Sequence, residues 1–169
     1  MFSFAAVQCD HGWVHFSKSC YLRVNTRVTW FLAQKMCKEN EANLVTVNDE
    51  DEMNFLGSLM KDKGSWNGLH FKANSKDGVW SSGERSDYRN WAKTGPKRFS
   101  KLPLCVQMAA KLRGLKWGRL KCSLKYRFIC EKGWLHKVKS RINHSQKCCN
   151  LALSDFRVIK SNEADQKLK

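Results

Sequence analysis

Trp66-Asn67-Gly68-Leu69 separates two kinds of chain. Gly64 ends a helical pattern just upstream, and the four residues begin a buried strand, so helices come first and strands afterwards. Immediately before, Asn48 is placed to cap a helix whose first turn holds Asp49, Glu50, Asp51 and Glu52, negative charge that suits a helix N-terminus. Met53, Leu56, Leu59 and Met60 form the apolar face of that helix. Ahead of it Leu44-Val45-Thr46-Val47 reads as a short strand, and Asn40 to Asn43 break an earlier helix capped by Thr29. In that first helix Trp30, Ala33, Met36 and Cys37 recur at spacings of three and four, which turns Cys37 inward. The run Cys9-Asp-His-Gly-Trp-Val-His-Phe-Ser-Lys-Ser-Cys20-Tyr and Leu22-Arg23-Val24 reads as a hairpin closed by a Cys9 to Cys20 bridge. Downstream, Lys72 to Arg89 has the Asn, Ser, Gly and Asp content of long loops around Val79-Trp80. Cys105-Val106-Gln107-Met108, Gly114-Leu115-Lys116-Trp117 and Tyr126-Arg127-Phe128-Ile129-Cys130 are three short strands of an antiparallel sheet.

A chain of 169 residues builds one domain with a sizeable core and leaves residues for a tail. Its 42% hydrophobic content, with seven Trp and nine Phe, excludes disorder throughout and fibrous repeats. Eight cysteines without paired C-x-x-C clips point to disulfides in an oxidising, extracellular compartment rather than to zinc. Residues 1–8 are apolar but too short for a signal peptide and read as a leader or fragment remnant. No run approaches the roughly 18 apolar residues of a membrane span.

Charge is segregated. From Trp91 to Cys130 there is no Asp, Glu or Asn, and eleven Lys and Arg stand unopposed, whereas residues 1–92 carry eleven of each sign. A local excess of this kind marks a surface for something anionic.

The order of elements and cysteines resembles the C-type lectin-like domain in its long form, over residues 9–132. The resemblance rests on Cys9-x-x-Gly12-Trp13 with Cys20-Tyr21, on Cys37, and on Trp66-Asn67-Gly68-Leu69 where the family has Trp-Ile-Gly-Leu. Trp80, Asp87-Tyr88-x-Asn90-Trp91, Cys105, Cys122 and Phe128-Ile129-Cys130-Glu131 complete it. It implies an α+β fold with two helices, two small antiparallel sheets and a long irregular loop, bridged Cys9 to Cys20, Cys37 to Cys130 and Cys105 to Cys122, with Cys148 and Cys149 left over. Two departures stand out. Asn67 puts an amide in a buried strand, which needs a hydrogen-bond partner or costs roughly 1 to 3 kcal/mol. The family's calcium ligands, a Glu-Pro-Asn type loop and an Asn-Asp pair after a tryptophan, are matched by Gly95-Pro96-Lys97 and Trp117-Gly118-Arg119. Calcium takes about six to eight oxygens, and Lys97 and Arg119 repel it. Ser65-Trp66 after Asp51 to Leu56 is similar to the natural killer cell lectin-like receptors, and Gly95-Pro96 to Lys101 to the lectin-like module of Fras1-related matrix proteins.

The expected binding face comprises Lys97, Arg98, Lys101, Arg113, Lys116 and Arg119. His11, His15, His70, His136 and His144 show neither metal spacing nor a nucleophile beside them, so no catalytic residue, metal or cofactor is expected. Trp66, Trp80, Trp91 and Trp117 read as core and loop anchors. Asn143-His144-Ser145 is an N-glycosylation sequon. From Glu131 onward nine Lys/Arg stand against four Asp/Glu with little apolar periodicity, so residues 133–169 read as a disordered basic tail. Cys130, Gly133, Trp134, His136, Lys139 and Ser140 repeat Cys9, Gly12, Trp13, His15, Lys18 and Ser19 at the same offsets, which a following lectin-like module would also produce. The expected function is an extracellular recognition module binding a protein ligand or an anionic carbohydrate of heparan sulfate type without calcium. The alternative is a glycosaminoglycan-binding matrix or adhesion component. Nucleic acid and a membrane span are not expected, and a homodimer is allowed.

Overall fold

The structure, a computed structural model, describes residues 9–60, 64–93, 100–111 and 114–133. Strands β1 (Val14–Phe16) and β2 (Ser19–Val28) form the opening hairpin, its two-residue turn carried by Ser17 at φ 50. Helix α1 (Trp30–Glu39) follows, capped by Thr29, whose hydroxyl accepts from the Leu32 amide at 3.4 Å. The helix ends where Asn40 and Ala42 both donate to the Cys37 carbonyl and Glu41 takes a left-handed conformation. Strand β3 is only Asn43–Leu44. The expected strand stops there because the backbone beyond it serves three different partners. Val45 donates to the Ile129 carbonyl, its own carbonyl accepts from Gly68, and Thr46 donates to the Glu131 carboxylate.

Helix α2 (Glu50–Met60) is capped by Asp49 rather than by Asn48: the Asp49 carboxylate accepts from the Glu52 amide at 2.8 Å, the usual reach to the third helical residue. Asn48 instead donates its amide and its side chain to the Glu52 carboxylate at 2.8 and 3.2 Å, so the two residues lock the helix start from both sides. Strands β4 (Ser65–Phe71), β5 (Gly78–Trp80), β6 (Leu104–Lys111), β7 (Gly114–Lys121) and β8 (Tyr126–Gly133) complete the described chain. Gly133, placed by the sequence at the start of the tail, still pairs with Ser19.

Two antiparallel groups of strands form, β1-β2-β8 with β3 beside β8, and β4-β6-β7 with β5 beside β4. They are joined by one short parallel contact between β4 and β8, at Ser65 with Arg127 and Trp66 with Phe128. The two small sheets are therefore continuous at this seam. Strand alternation sends Phe128 and Cys130 toward α1 and Ile129 toward α2, giving an apolar cluster on each face. On the α1 face Trp30, Ala33 and Cys37 meet Trp66 and Phe128; on the other, Met53, Leu56 and Met60 meet Leu69, Met108 and Trp117. Gly68 allows a close backbone approach, since a Cβ there would lie 2.8 Å from both the Leu44 carbonyl and the Ser81 hydroxyl.

Asn67 is fully buried, and the strand partly satisfies it. Its side-chain oxygen accepts from the Leu69 amide at 3.0 Å and its carbonyl from the Trp30 indole at 2.7 Å, while its side-chain nitrogen has no partner among the described residues. Lys132 closes the β1-β2 hairpin onto β8 by an ion pair with Asp10 at 2.8 Å and a contact 4.2 Å over the Trp13 ring.

The cysteines pair Cys9 with Cys20, Cys37 with Cys130, and Cys105 with Cys122, the three bridges that the resemblance implies. Cys37–Cys130 ties α1 to β8 across a sequence separation of 93. By the chain-entropy argument a loop of that size contributes about 4 to 5 kcal/mol. A Cys37→Ser, Cys130→Ser double variant is expected to lose that much in urea unfolding, and a loss under about 1 kcal/mol would contradict the argument.

Candidate functional site

β7 is the last strand of its group, and its outer edge is taken by the segment 90–92. Trp117 donates to the Asn90 carbonyl at 2.7 Å, Ala92 donates to the Trp117 carbonyl at 3.0 Å, and Trp91 pairs with Trp117 as a parallel bridge. The Asn90 side chain clamps the same edge, donating to the Leu115 carbonyl at 3.0 Å and accepting from the Lys116 ammonium at 2.5 Å. Trp117 is buried at the centre, with Trp80, Tyr88 and Trp91 edge-on around it at centroid distances of 5.9, 5.7 and 5.6 Å. Tyr88 reaches back to α2 through a hydrogen bond to Glu50. Trp66, Trp80 and Trp117 are thus core residues, and Trp91 is half-buried at the rim.

Arg119 follows Trp117 on the same face of β7. Its guanidinium lies 3.9 Å over the Phe71 ring and 4.7 Å over the Trp91 ring. Burial holds it below the ordinary arginine range, and the charge of Arg89 pushes the same way. Arg89 sits 5.7 Å over Trp80 and donates to the Ser86 and Tyr88 carbonyls, both at 2.7 Å. Burial also lowers Arg89, opposed by the Asp87 carboxylate.

Of the six cations singled out in the sequence, Lys101 is exposed just before β6, while Lys116 and Arg119 are half-buried on β7. Lys97, Arg98 and Arg113 lie outside the described residues, as do Gly95-Pro96, the Asn143 sequon, Cys148 and Cys149, and residues 134–169. Lys116 and Arg119 are three apart on one strand and so leave it on opposite faces; the Lys116 amine is turned to the edge by Asn90. Arg89, which is not among the six, precedes the carboxylate-free stretch. The aromatic residues on either side of it, Tyr88 and Trp91, were the available signal.

A second polar group stands apart. Tyr21 donates to the Glu52 carboxylate at 2.7 Å and lies 3.5 Å from that of Glu131, whose other oxygen accepts from the Thr46 amide at 3.0 Å. These bonds tie β2, α2 and β8 together at the floor of a cleft of about 440 Å³ beneath the Phe16 to Ser19 turn. Burial raises the Glu52 carboxyl, and burial followed by the charge of Glu52 pushes Glu131 up to about 7. Burial, then Glu131 and Glu52, raises the Tyr21 phenol above its ordinary range. In the sequence Glu52 had read as a helix-dipole acid and Glu131 as a motif end.

Calcium does not fit the described part of the position where the resemblance places it. Gly118 has no side-chain oxygen and Arg119 is a cation stacked on two rings. Among the described residues no three His, Cys, Asp or Glu side chains are grouped to hold a metal ion, and no helix is long and apolar enough to cross a membrane.

A family model described as the lectin C-type domain matches residues 26–132. The chain is 33% identical over 133 residues to mouse lithostathine-1, covering 75% of this chain and 80% of the relative. The crystal structure of human lithostathine superposes with a TM-score of 0.69 at 30% identity, over 79% of this chain and 96% of that one. A calcium-independent type II antifreeze protein superposes with a TM-score of 0.69 at 25% identity, over 75% and 95%.

The carboxylate pair makes stability depend on pH. Because the folded-state value of Glu131 is raised from 4.5 to about 7, the unfolded chain releases this proton first. The contribution is fully present below the unfolded value and is lost as pH rises toward the folded one. At about 1.4 kcal/mol per pKa unit it is on the order of 3 kcal/mol. A pH series of melting temperatures should fall between about pH 5 and 7.5, and Glu131→Gln should flatten the fall; an unchanged slope in that variant would show that Glu131 is not the group responsible.

Proposed function

The chain belongs to the lectin C-type domain family, and from that premise we propose that it is an extracellular recognition module without enzymatic activity. It binds a protein ligand or an anionic carbohydrate of heparan sulfate type through the face around β7 and residues 88–92, and calcium takes no part. Residues 9–133 are the module, and residues 134–169 are a basic tail. The observation that carries this reading is the seat of Arg119. A guanidinium on Phe71 and Trp91 stands where the family resemblance would put a calcium-binding carboxylate. The absence of any Asp or Glu from 91 to 130 supports it, since cations without intrachain acids gain most from an external polyanion. The three disulfides fit an oxidising compartment. A glycosaminoglycan-binding matrix role draws on the same surface.

Retention on immobilised heparin tests the face. Reversing Lys97, Arg98 and Lys101 to Glu should lower the eluting salt more than reversing Lys18, Arg23 and Lys35, and equal effects would reduce the face to general charge. Retention should also be the same in millimolar calcium and in chelator. A calcium requirement for binding would overturn the metal-free reading.

A further inference from the structure

Arg119 and Arg89 share one aromatic platform. Arg119 covers Phe71 and Trp91, Arg89 covers Trp80, and Trp91 and Trp80 both stand edge-on to Trp117. Both guanidiniums are half-buried, and each is disfavoured in its charged form by that burial, Arg119 also by its neighbour. An aromatic face offsets part of the cost of a desolvated cation, but only an anion offsets the repulsion between two. Asp87 acts on Arg89, whereas Arg119 has no carboxylate or hydrogen-bond acceptor among the described residues. No Asp or Glu occurs in the sequence between 91 and 130.

Both guanidiniums are also held in place. Two carbonyls hold one amino group of Arg89, and the Arg119 guanidinium rests against the Phe71 and Trp91 rings, 3.9 and 4.7 Å from their centroids. A planar fork held in this way matches the oxygens of a tetrahedral oxyanion, which an ammonium contacts only as a point charge.

Resting on the family reading above, we propose that Arg119 and Arg89 form a discrete seat for one sulfate ester of a sulfated glycan, on the aromatic platform of Phe71, Trp80 and Trp91. A fully ionised sulfate supplies both the charge that the pair lacks and several acceptors for two forks. A glycan is the source because disulfide-bonded chains of this kind reside where sulfated polysaccharides are the abundant polyanions.

Tryptophan fluorescence follows binding, since Trp91 and Trp117 lie at the seat. The full chain is titrated with a sulfated heparin disaccharide, with the same disaccharide desulfated, and with inorganic sulfate. The sulfated sugar should bind, the desulfated one should not, and inorganic sulfate should compete only at much higher concentration. Arg119→Lys and Arg89→Lys keep the net charge and should each weaken binding roughly tenfold, while Lys125→Gln, an exposed cation outside the seat, should change it less than about twofold. Near-ultraviolet circular dichroism confirms that each variant is folded, and the lysine variants remain informative if Arg119→Ala does not fold. If Arg119→Lys binds as the parent does, or Arg119→Ala loses no more than Lys125→Gln, the discrete seat is wrong while heparin retention by the basic face survives. Equal competition by inorganic sulfate and the disaccharide would remove the glycan from the proposal. Failure of the parent to bind heparin at all would remove the basic-face reading with it.

Discussion

The short parallel contact between β4 and β8 is the joint on which the rest of the domain depends. Only Ser65 with Arg127 and Trp66 with Phe128 pair across it, yet it connects the strands that carry the chain termini of the module to the group that contains β7. So few backbone bonds would not hold two sheets together without side chains. Trp66 is fully buried beside Phe128 and donates to the Val28 carbonyl at 3.0 Å, and the Cys37–Cys130 bridge fastens α1 over the same seam. Burying an indole of this size contributes on the order of 2 to 3 kcal/mol, more than one hydrogen bond of the ladder. Gly68 belongs to the same constraint, because any side chain there would separate β4 from the Leu44 to Val45 backbone.

On the far side of that joint the edge of β7 is closed by segment 90–92, and this closure turns a strand edge into a surface. An open edge would invite pairing with another chain. Here the Asn90 and Ala92 backbone occupies part of it, and Trp91 is carried into position beside Trp117 and under Arg119. The exchange of a carboxylate for a guanidinium changes how the position can be stabilised. A carboxylate there would call for a metal; a guanidinium uses the ring faces already provided by the core.

The carboxylates of Glu52 and Glu131 follow a different logic. Glu52 is buried and Glu131 half-buried, and the bonds they make, to Tyr21, Asn48 and Thr46, lie between a helix start and two strands. The desolvation that raises their pKa values is the cost of that bracing, and it couples the start of α2 to pH. The group braces the scaffold between β2, α2 and β8.

Much of this was legible in the residues. Trp30, Ala33 and Cys37 at helical spacing, the acids at the start of α2, and the short apolar runs at 105–108, 114–117 and 126–130 declare their elements because helix and strand periodicity are local properties. The segregation of charge is likewise a property of the chain as written. The cap of α2 lies one residue beyond Asn48, since Asn48 and Asp49 are both able caps and only the fold shows which side chain accepts from the Glu52 amide. What the sequence could not decide depends on contacts between distant segments. The parallel seam of β4 and β8, the meeting of Tyr21 with Glu131 at a separation of 110, the aromatic rings that carry Arg89 and Arg119, and the splitting of Lys116 from Arg119 by the strand's alternation all belong to the tertiary structure. Periodicity tells a residue which side of its own element it occupies. Which other residue waits on that side is set by how the elements pack, and no local pattern carries it.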